Sequence, residues 1–242
     1  AWEAANENSV GVVSRTAPDD KSRWFQILDA NNIPDQEAAG WIQPWSESLL
    51  PIDRRDNGPL KGIAIKHPDD ISAVLDVALD QNYQFLLLDA TGGNADWASE
   101  LMNQPRFELL SGTVIEMRRR KKEEALVLIY SGGVRSGTDA ARLIALGENV
   151  VVYGVAAALA LGGEIGQSQI NWASDRTPGE RTDGLKSILN ANAGEASMMA
   201  RCTGKTCLHN LEPEDLRSVT LTTSAATHIP VPGHNVTRAR SH

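Results

Sequence analysis

Four short apolar runs punctuate the middle of the chain. Lys61 to Lys66 reads KGIAIK, Gln84 to Asp89 QFLLLD, Ala125 to Tyr130 ALVLIY, and Asn149 to Tyr153 NVVVY. None alternates strictly between apolar and polar positions, and each leads into a turn with Gly, Pro or Asp. Such runs fit parallel strands covered on both faces. Helical spacing separates them. Pro68-Asp69-Asp70 puts proline and acids in a first turn. Ile71, Val74, Leu75, Ala78 and Leu79 then recur on one side. Thr138-Asp139 opens another helix, with Ala141, Leu143, Ile144 and Leu146 as its apolar side and Gly147 as its C-cap. Strand and helix alternate from Lys61 to about Leu161, which predicts an α/β fold of parallel (β/α) units.

The flanks read differently. Residues 1–58 are polar, carry Trp24, Trp41 and Trp45, and offer at most one short strand (Val10 to Val13) and one or two helices. The tryptophans are expected to be packing anchors. Gly166 to about Asn192 is rich in polar residues, Gly and Pro and reads as a long loop. A last helix is expected from Leu211, with Pro213 and acids in its first turn. The expected organisation is an irregular N-terminal extension (1–58), a barrel-like (β/α) region (59–166), a loop and C-terminal helical segment (167–232), and a tail (233–242).

Composition narrows the class. With 242 residues and a net charge of -8, the chain is long enough for a sizeable core and argues against a general nucleic-acid binder. The basic run Arg118 to Lys122 is followed at once by Glu123 and Glu124, as at a solvated helix end. No apolar run approaches the roughly 20 residues of a membrane span, and no signal-peptide pattern opens the chain. Two cysteines make no secreted disulfide framework. A cytoplasmic protein is expected.

Candidate chemistry gathers at glycine turns after the strands, where parallel α/β folds place ligands. Gly92-Gly93 follows the second run, Gly132-Gly133 with Arg135 the third, and Gly154-Val155 the fourth. Consecutive glycines let backbone amides approach an anion, a helix N-terminus beyond adds partial positive charge, and Arg135 can add a charge-assisted contact. The last two turns close successive strands of one βαβ unit, the arrangement of the phosphate site of (β/α)8 barrels.

The stretch from Ser131 to Leu161, SGGVRSGTDAARLIALGENVVVYGVAAALAL, resembles the flavin-phosphate region of the FMN-binding barrel domain of glutamate synthases. LKGIAIKHPDD resembles the strand whose lysine faces the flavin and substrate, which points to Lys66. FLLLDATGGNADW resembles the strand ending in an acid and a Gly-Gly-Thr turn. TGKTCLHNLEPEDLRSVT resembles the C-terminal segment of the archaeal-type members. The resemblance runs from about Pro59 to Gly233. It implies the second half of a TIM barrel, bound FMN, and reduction of an imine formed from 2-oxoglutarate and an amine. It also implies that Lys66 sits by the flavin's electron-rich edge as the catalytic residue, and that Gly92, Gly93, Gly132, Gly133, Gly154 and Val155 belong to the cofactor site. The residues themselves equally allow Lys66 to end a strand and pair with Asp69 or Asp70.

The departures matter as much. The turn reads Gly92-Gly93-Asn94, then Ala95-Asp96-Trp97. The cysteines that hold an iron–sulfur cluster in family members have no counterpart, since only Cys202 and Cys207 exist and cluster ligation takes several thiolates. No cluster and no glutaminase module are expected. Four strands match only half a barrel, whose edges and apolar interior need cover. A homo- or hetero-oligomer supplying the missing half is therefore expected. The expected function is an FMN-binding oxidoreductase subunit acting on an amine or amino acid. A non-catalytic scaffold completing a partner's barrel is the alternative, and a phosphosugar or nucleotide enzyme using the same turns also stays open.

Overall fold

The structure is a computed structural model that describes residues 2–29, 33–46, 49, 58–91, 107–166, 170–172 and 175–233. Its centre is one seven-stranded sheet in which spatial order follows chain order: β1 (Val12–Ser14), β2 (Trp24–Ile27), β3 (Gly40–Pro44), β4 (Leu60–Ile65), β5 (Phe85–Asp89), β6 (Val127–Ser131) and β7 (Val150–Val152). Every neighbouring pair is parallel. Short helix α1 (Trp2–Glu7) precedes β1. Helices α2 (Ile71–Asp80), α3 (Phe107–Arg119) and α4 (Gly137–Ala145) lie between the strands from β4 to β7, and α5 (Val155–Ala160) follows β7. These are the (β/α) units of half a TIM barrel, as the apolar runs predict. Beyond them come a hairpin of β8 (Gly163–Ile165) and β9 (Ile170–Trp172), the long α6 (Pro178–Cys202) and α7 (Leu221–Thr227). Among the described residues no helix is long and apolar enough to cross a membrane.

Alternation along the strands sorts two cores. Ile63, Ile65, Leu86, Leu88, Leu128 and Tyr130 face outward and pack under α2, α3 and α4. Ile42, Ala64, Phe85, Leu87 and Ile129 face inward, joined by Val13, Phe25, Ile27 and Val152. The sheet curls around this inner set. Phe25 on β2 and Phe85 on β5 meet edge to face, with ring centroids 5.7 Å apart, although three strand spacings of about 4.8 Å separate their backbones. Glycine makes this possible. A Cβ on Gly40 would lie 2.7 Å from the Phe25 ring, and one on Gly62 would lie 2.0 Å from the Phe85 ring.

The N-terminal extension is not irregular. It supplies three strands of the sheet where the sequence suggested at most one, and the one foreseen lies at Val12–Ser14. No helix appears among the described residues between β1 and β4. Trp24 and Trp41, both buried, instead form an outer cluster with Leu28 and Ala38, against which Trp2 packs. Large aromatic side chains provide here the apolar cover that helices provide over β4 to β7. Buried Gln26 fastens the β2–β3 connection, donating to the Ile33 carbonyl at 3.1 Å and accepting from the Asp35 amide at 2.7 Å. The Trp41 indole donates to the Asp35 carbonyl at 2.8 Å.

Two expectations further along are also corrected. The loop expected over Gly166 to Asn192 becomes α6 from Pro178 onward. Thr177 and Glu180 cap each other there, in the pattern that satisfies two orphan amides at once. The helix expected from Leu211 is a single 3₁₀ turn at Pro213–Asp215, and α7 follows at Leu221. The basic run at the end of α3 is a solvated helix end. Arg119 and Arg120 both pair with Glu116, and Arg120 also reaches Asp76.

Candidate functional site

The C-terminal ends of β4 to β7 form one rim. Lys66 leaves the end of β4 and its Nζ lies 3.7 Å from Asp89 Oδ2, the last residue of neighbouring β5. Register explains the meeting. Ile65 pairs with Leu88, so the next residue on each strand is also adjacent. Asp89 in turn aligns with Ser131 on β6, and Ser131 with Val152 on β7. Asp89 Oδ1 accepts from the Thr91 amide at 3.1 Å and from the Thr91 hydroxyl. Lys66 is about half exposed, whereas Asp89 is mostly buried.

Gly132 and Gly133 follow β6 with φ of 138° and 68°, a region that side chains other than glycine's rarely adopt. Gly132 has a second constraint, since its Cβ would lie 2.8 Å from the Ala90 carbonyl carbon. The β5 turn is thus pressed against the β6 turn, and the Ala90 amide donates to the Ser131 carbonyl at 2.7 Å. Gly154 follows β7 and stands as the N-cap of α5, which starts at Val155. Because β6 and β7 are paired, the Gly133 and Gly154 turns are neighbours on the rim. Gly92 and Gly93 lie outside the described residues.

Two features redistribute the charge that the sequence suggested. Arg135 lies along α4, its Nε 3.2 Å from Asp139 Oδ2, with the guanidinium exposed. The N-terminus of α4 already holds an anion of the protein's own. The Glu195 carboxylate, from α6, accepts from the Gly137 amide at 2.9 Å and from the Thr138 hydroxyl. The Thr138 hydroxyl, and then those backbone amides, hold the Glu195 carboxyl below the usual carboxylate value. Gly137 has no room for a side chain there, because its Cβ would collide with the Asn192 carbonyl. Tyr153 sits half-buried by the same helix. Burial first, and then the Glu195 and Asp139 carboxylates, push its phenol up.

The turns of this rim differ in what already stands against them. In (β/α)8 barrels a phosphate is held between two such neighbouring turns, here Gly132-Gly133 and Gly154-Val155. It does not fit the N-terminus of α4, where Glu195 stands. The sequence pointed to Lys66, Gly132, Gly133, Gly154 and Val155, and the structure brings the ends of their strands together. Glu195 was missed, and no local pattern marks it, since 58 residues separate it from Gly137. Asp89 was legible only as the acid ending an apolar run.

The fold defines a class: a curled parallel sheet carrying the (β/α) units of half a TIM barrel. A double mutant of flavocytochrome b2 with pyruvate bound superposes with a TM-score of 0.50 at 21% identity, over 73% of this chain and 38% of that one. The recombinant flavin-binding domain of baker's yeast flavocytochrome b2 gives 0.49 at 22% identity, over 72% and 38%. No family model matches the chain. Among curated proteins it is similar to a glutamate synthase large subunit-like protein of Rhizobium meliloti (strain 1021), with 27% identity over 252 aligned positions. That match covers 90% of this chain and 51% of the relative, so the chain spans about half the relative's length.

Proposed function

We propose that the chain is the FMN-binding part of a glutamate-synthase-like oxidoreductase that acts on an amine or amino acid. The observation that carries this reading is the pairing of β6 with β7, which sets the Gly132-Gly133 turn beside Gly154-Val155 on the rim that also holds Lys66. The likeness to the Rhizobium protein supports it from the sequence side. Gly133, Gly154 and Val155 would hold the phosphate through their backbone. Lys66 would place a cation at the mouth, where charge develops on reduction. FMN would supply two-electron redox chemistry there.

The purified protein is expected to be yellow, absorbing near ~450 nm as bound oxidised flavin does. Lys66→Ala is expected to slow flavin reduction while leaving the protein folded. A preparation that stays colourless after incubation with FMN refutes the reading and favours the scaffold alternative. β1 and β7 end the sheet, each only three residues long. We therefore propose that a partner subunit, or a second copy, covers these edges. A stable monomer in analytical ultracentrifugation would overturn that part.

A further inference from the structure

We propose that Asp89 is the positioning residue of the mouth. It holds Lys66 as an ion pair across β4 and β5, and so sets how much positive charge Lys66 offers to an anion there. The inference rests on the reading of Lys66 as the cation of the flavin site and extends it to a residue that reading does not use.

Three observations support it. First, Asp89 and Lys66 stand at the same level on neighbouring strands, with Oδ2 3.7 Å from Nζ. Second, Asp89 cannot easily turn away. Its other oxygen is held by the Thr91 amide and hydroxyl. The turn after it is clamped, because the Ala90 amide donates to the Ser131 carbonyl at 2.7 Å and Gly132 packs directly on Ala90. Third, the pair is asymmetric. The lysine is about half exposed and the carboxylate mostly buried. The carboxylate is the more enclosed member, held from a second side by Thr91. A ligand anion arriving at the mouth thus meets a lysine already partnered by a negative charge, and Asp89 weakens the mouth's hold on anions, reduced flavin included.

The test uses Asp89→Asn, which keeps the shape and an acceptor for Thr91. Two readouts apply. In the FMN-loaded protein, the midpoint potential of the flavin is measured by dye-equilibrated reduction. In the FMN-free protein, the affinity for inorganic sulfate is measured by thermal shift, against sodium chloride at matched ionic strength to remove screening. One unit charge removed about 5 Å from an anion in a mostly aqueous mouth is worth roughly a fivefold change in binding. Sulfate affinity is expected to rise about fivefold. The midpoint should rise by ~20 mV, the same factor for a two-electron couple. Both gains should vanish in the double variant Lys66→Gln with Asp89→Asn. Thr91→Val, which frees one side of Asp89, should move both readouts the same way by a smaller factor, and it serves if Asp89→Asn fails to fold. A purely structural Asp89 would change the melting temperature and neither readout, which overturns the proposal. A parent protein that binds no FMN sinks the functional reading alone, because the sulfate comparison still decides the role of Asp89.

Discussion

Gly62→Ala probes the curl of the sheet. Gly62 lies on β4 next to Phe85 on β5, and a Cβ there would lie 2.0 Å from the Phe85 ring. Phe85 is 2% exposed and meets Phe25 edge to face at 5.7 Å, so moving its ring disturbs that pair. Gly62 is not among the positive-φ glycines, so alanine suits the backbone and gains about 0.5–1 kcal/mol by restricting the unfolded chain. Against that, overpacking a dense core costs about 1–3 kcal/mol. Displacing the aromatic pair forfeits about 0.5–1.5 kcal/mol more. The steric terms win, and the net destabilisation should be about 1–3 kcal/mol. Equilibrium urea unfolding reads it as a lower midpoint at unchanged slope. Phe85→Leu should cost stability alone yet relieve the clash, so the double variant should be more stable than the sum of the singles by about 1 kcal/mol. A Gly62→Ala protein within about 0.5 kcal/mol of the parent, the usual range for surface changes, would mean that Phe25 and Phe85 do not fill the concave side. Strict additivity with Phe85→Leu would mean the same.

Other outcomes follow from buried and paired charges. Glu148, between α4 and β7, is 2% exposed, its two carboxyl oxygens have no hydrogen-bond partner among the described residues, and burial pushes its carboxyl well up. The folded protein therefore keeps a proton that the unfolded chain releases, so stability falls as pH rises above the ordinary carboxylate value. Glu148→Gln should flatten that decline in denaturation experiments between about pH 4 and pH 8, and an unchanged slope would show that Glu148 is charged and solvated. Glu195 behaves oppositely. Its depressed carboxyl stabilises the fold above the ordinary carboxylate value and loses that contribution as pH falls through the lowered value. Glu195→Ala should speed amide exchange at Gly137 and Thr138, the groups it holds, without altering exchange in β5. Cys202 and Cys207 are both exposed and should react with a thiol reagent in the native protein, at a rate close to that after unfolding.

The sequence alone determined the four strands from β4 to β7 and the helices between them. Aliphatic runs such as FLLLD and VLIYS carry their own burial, because a strand covered on both faces has to be apolar throughout. It also marked the glycine pair, whose positive φ values are a local property of that turn. Only the tertiary structure decided the rest. WFQI and GWIQP are too short and too polar to announce β2 and β3. They become strands because Trp24 and Trp41 supply the outer cover and Gln26 pins the connecting loop. Helix α6 lacks a clear apolar stripe, although its Thr177–Glu180 cap was readable. It is held by packing on α4 and by Glu195 at that helix's N-terminus. The Lys66–Asp89 pair belongs to the same class. Periodicity in the sequence reports what each segment must bury. Which charge meets which, across 23 residues at Asp89 or 58 at Glu195, is set by strand register and helix docking, and these exist only once the chain has folded.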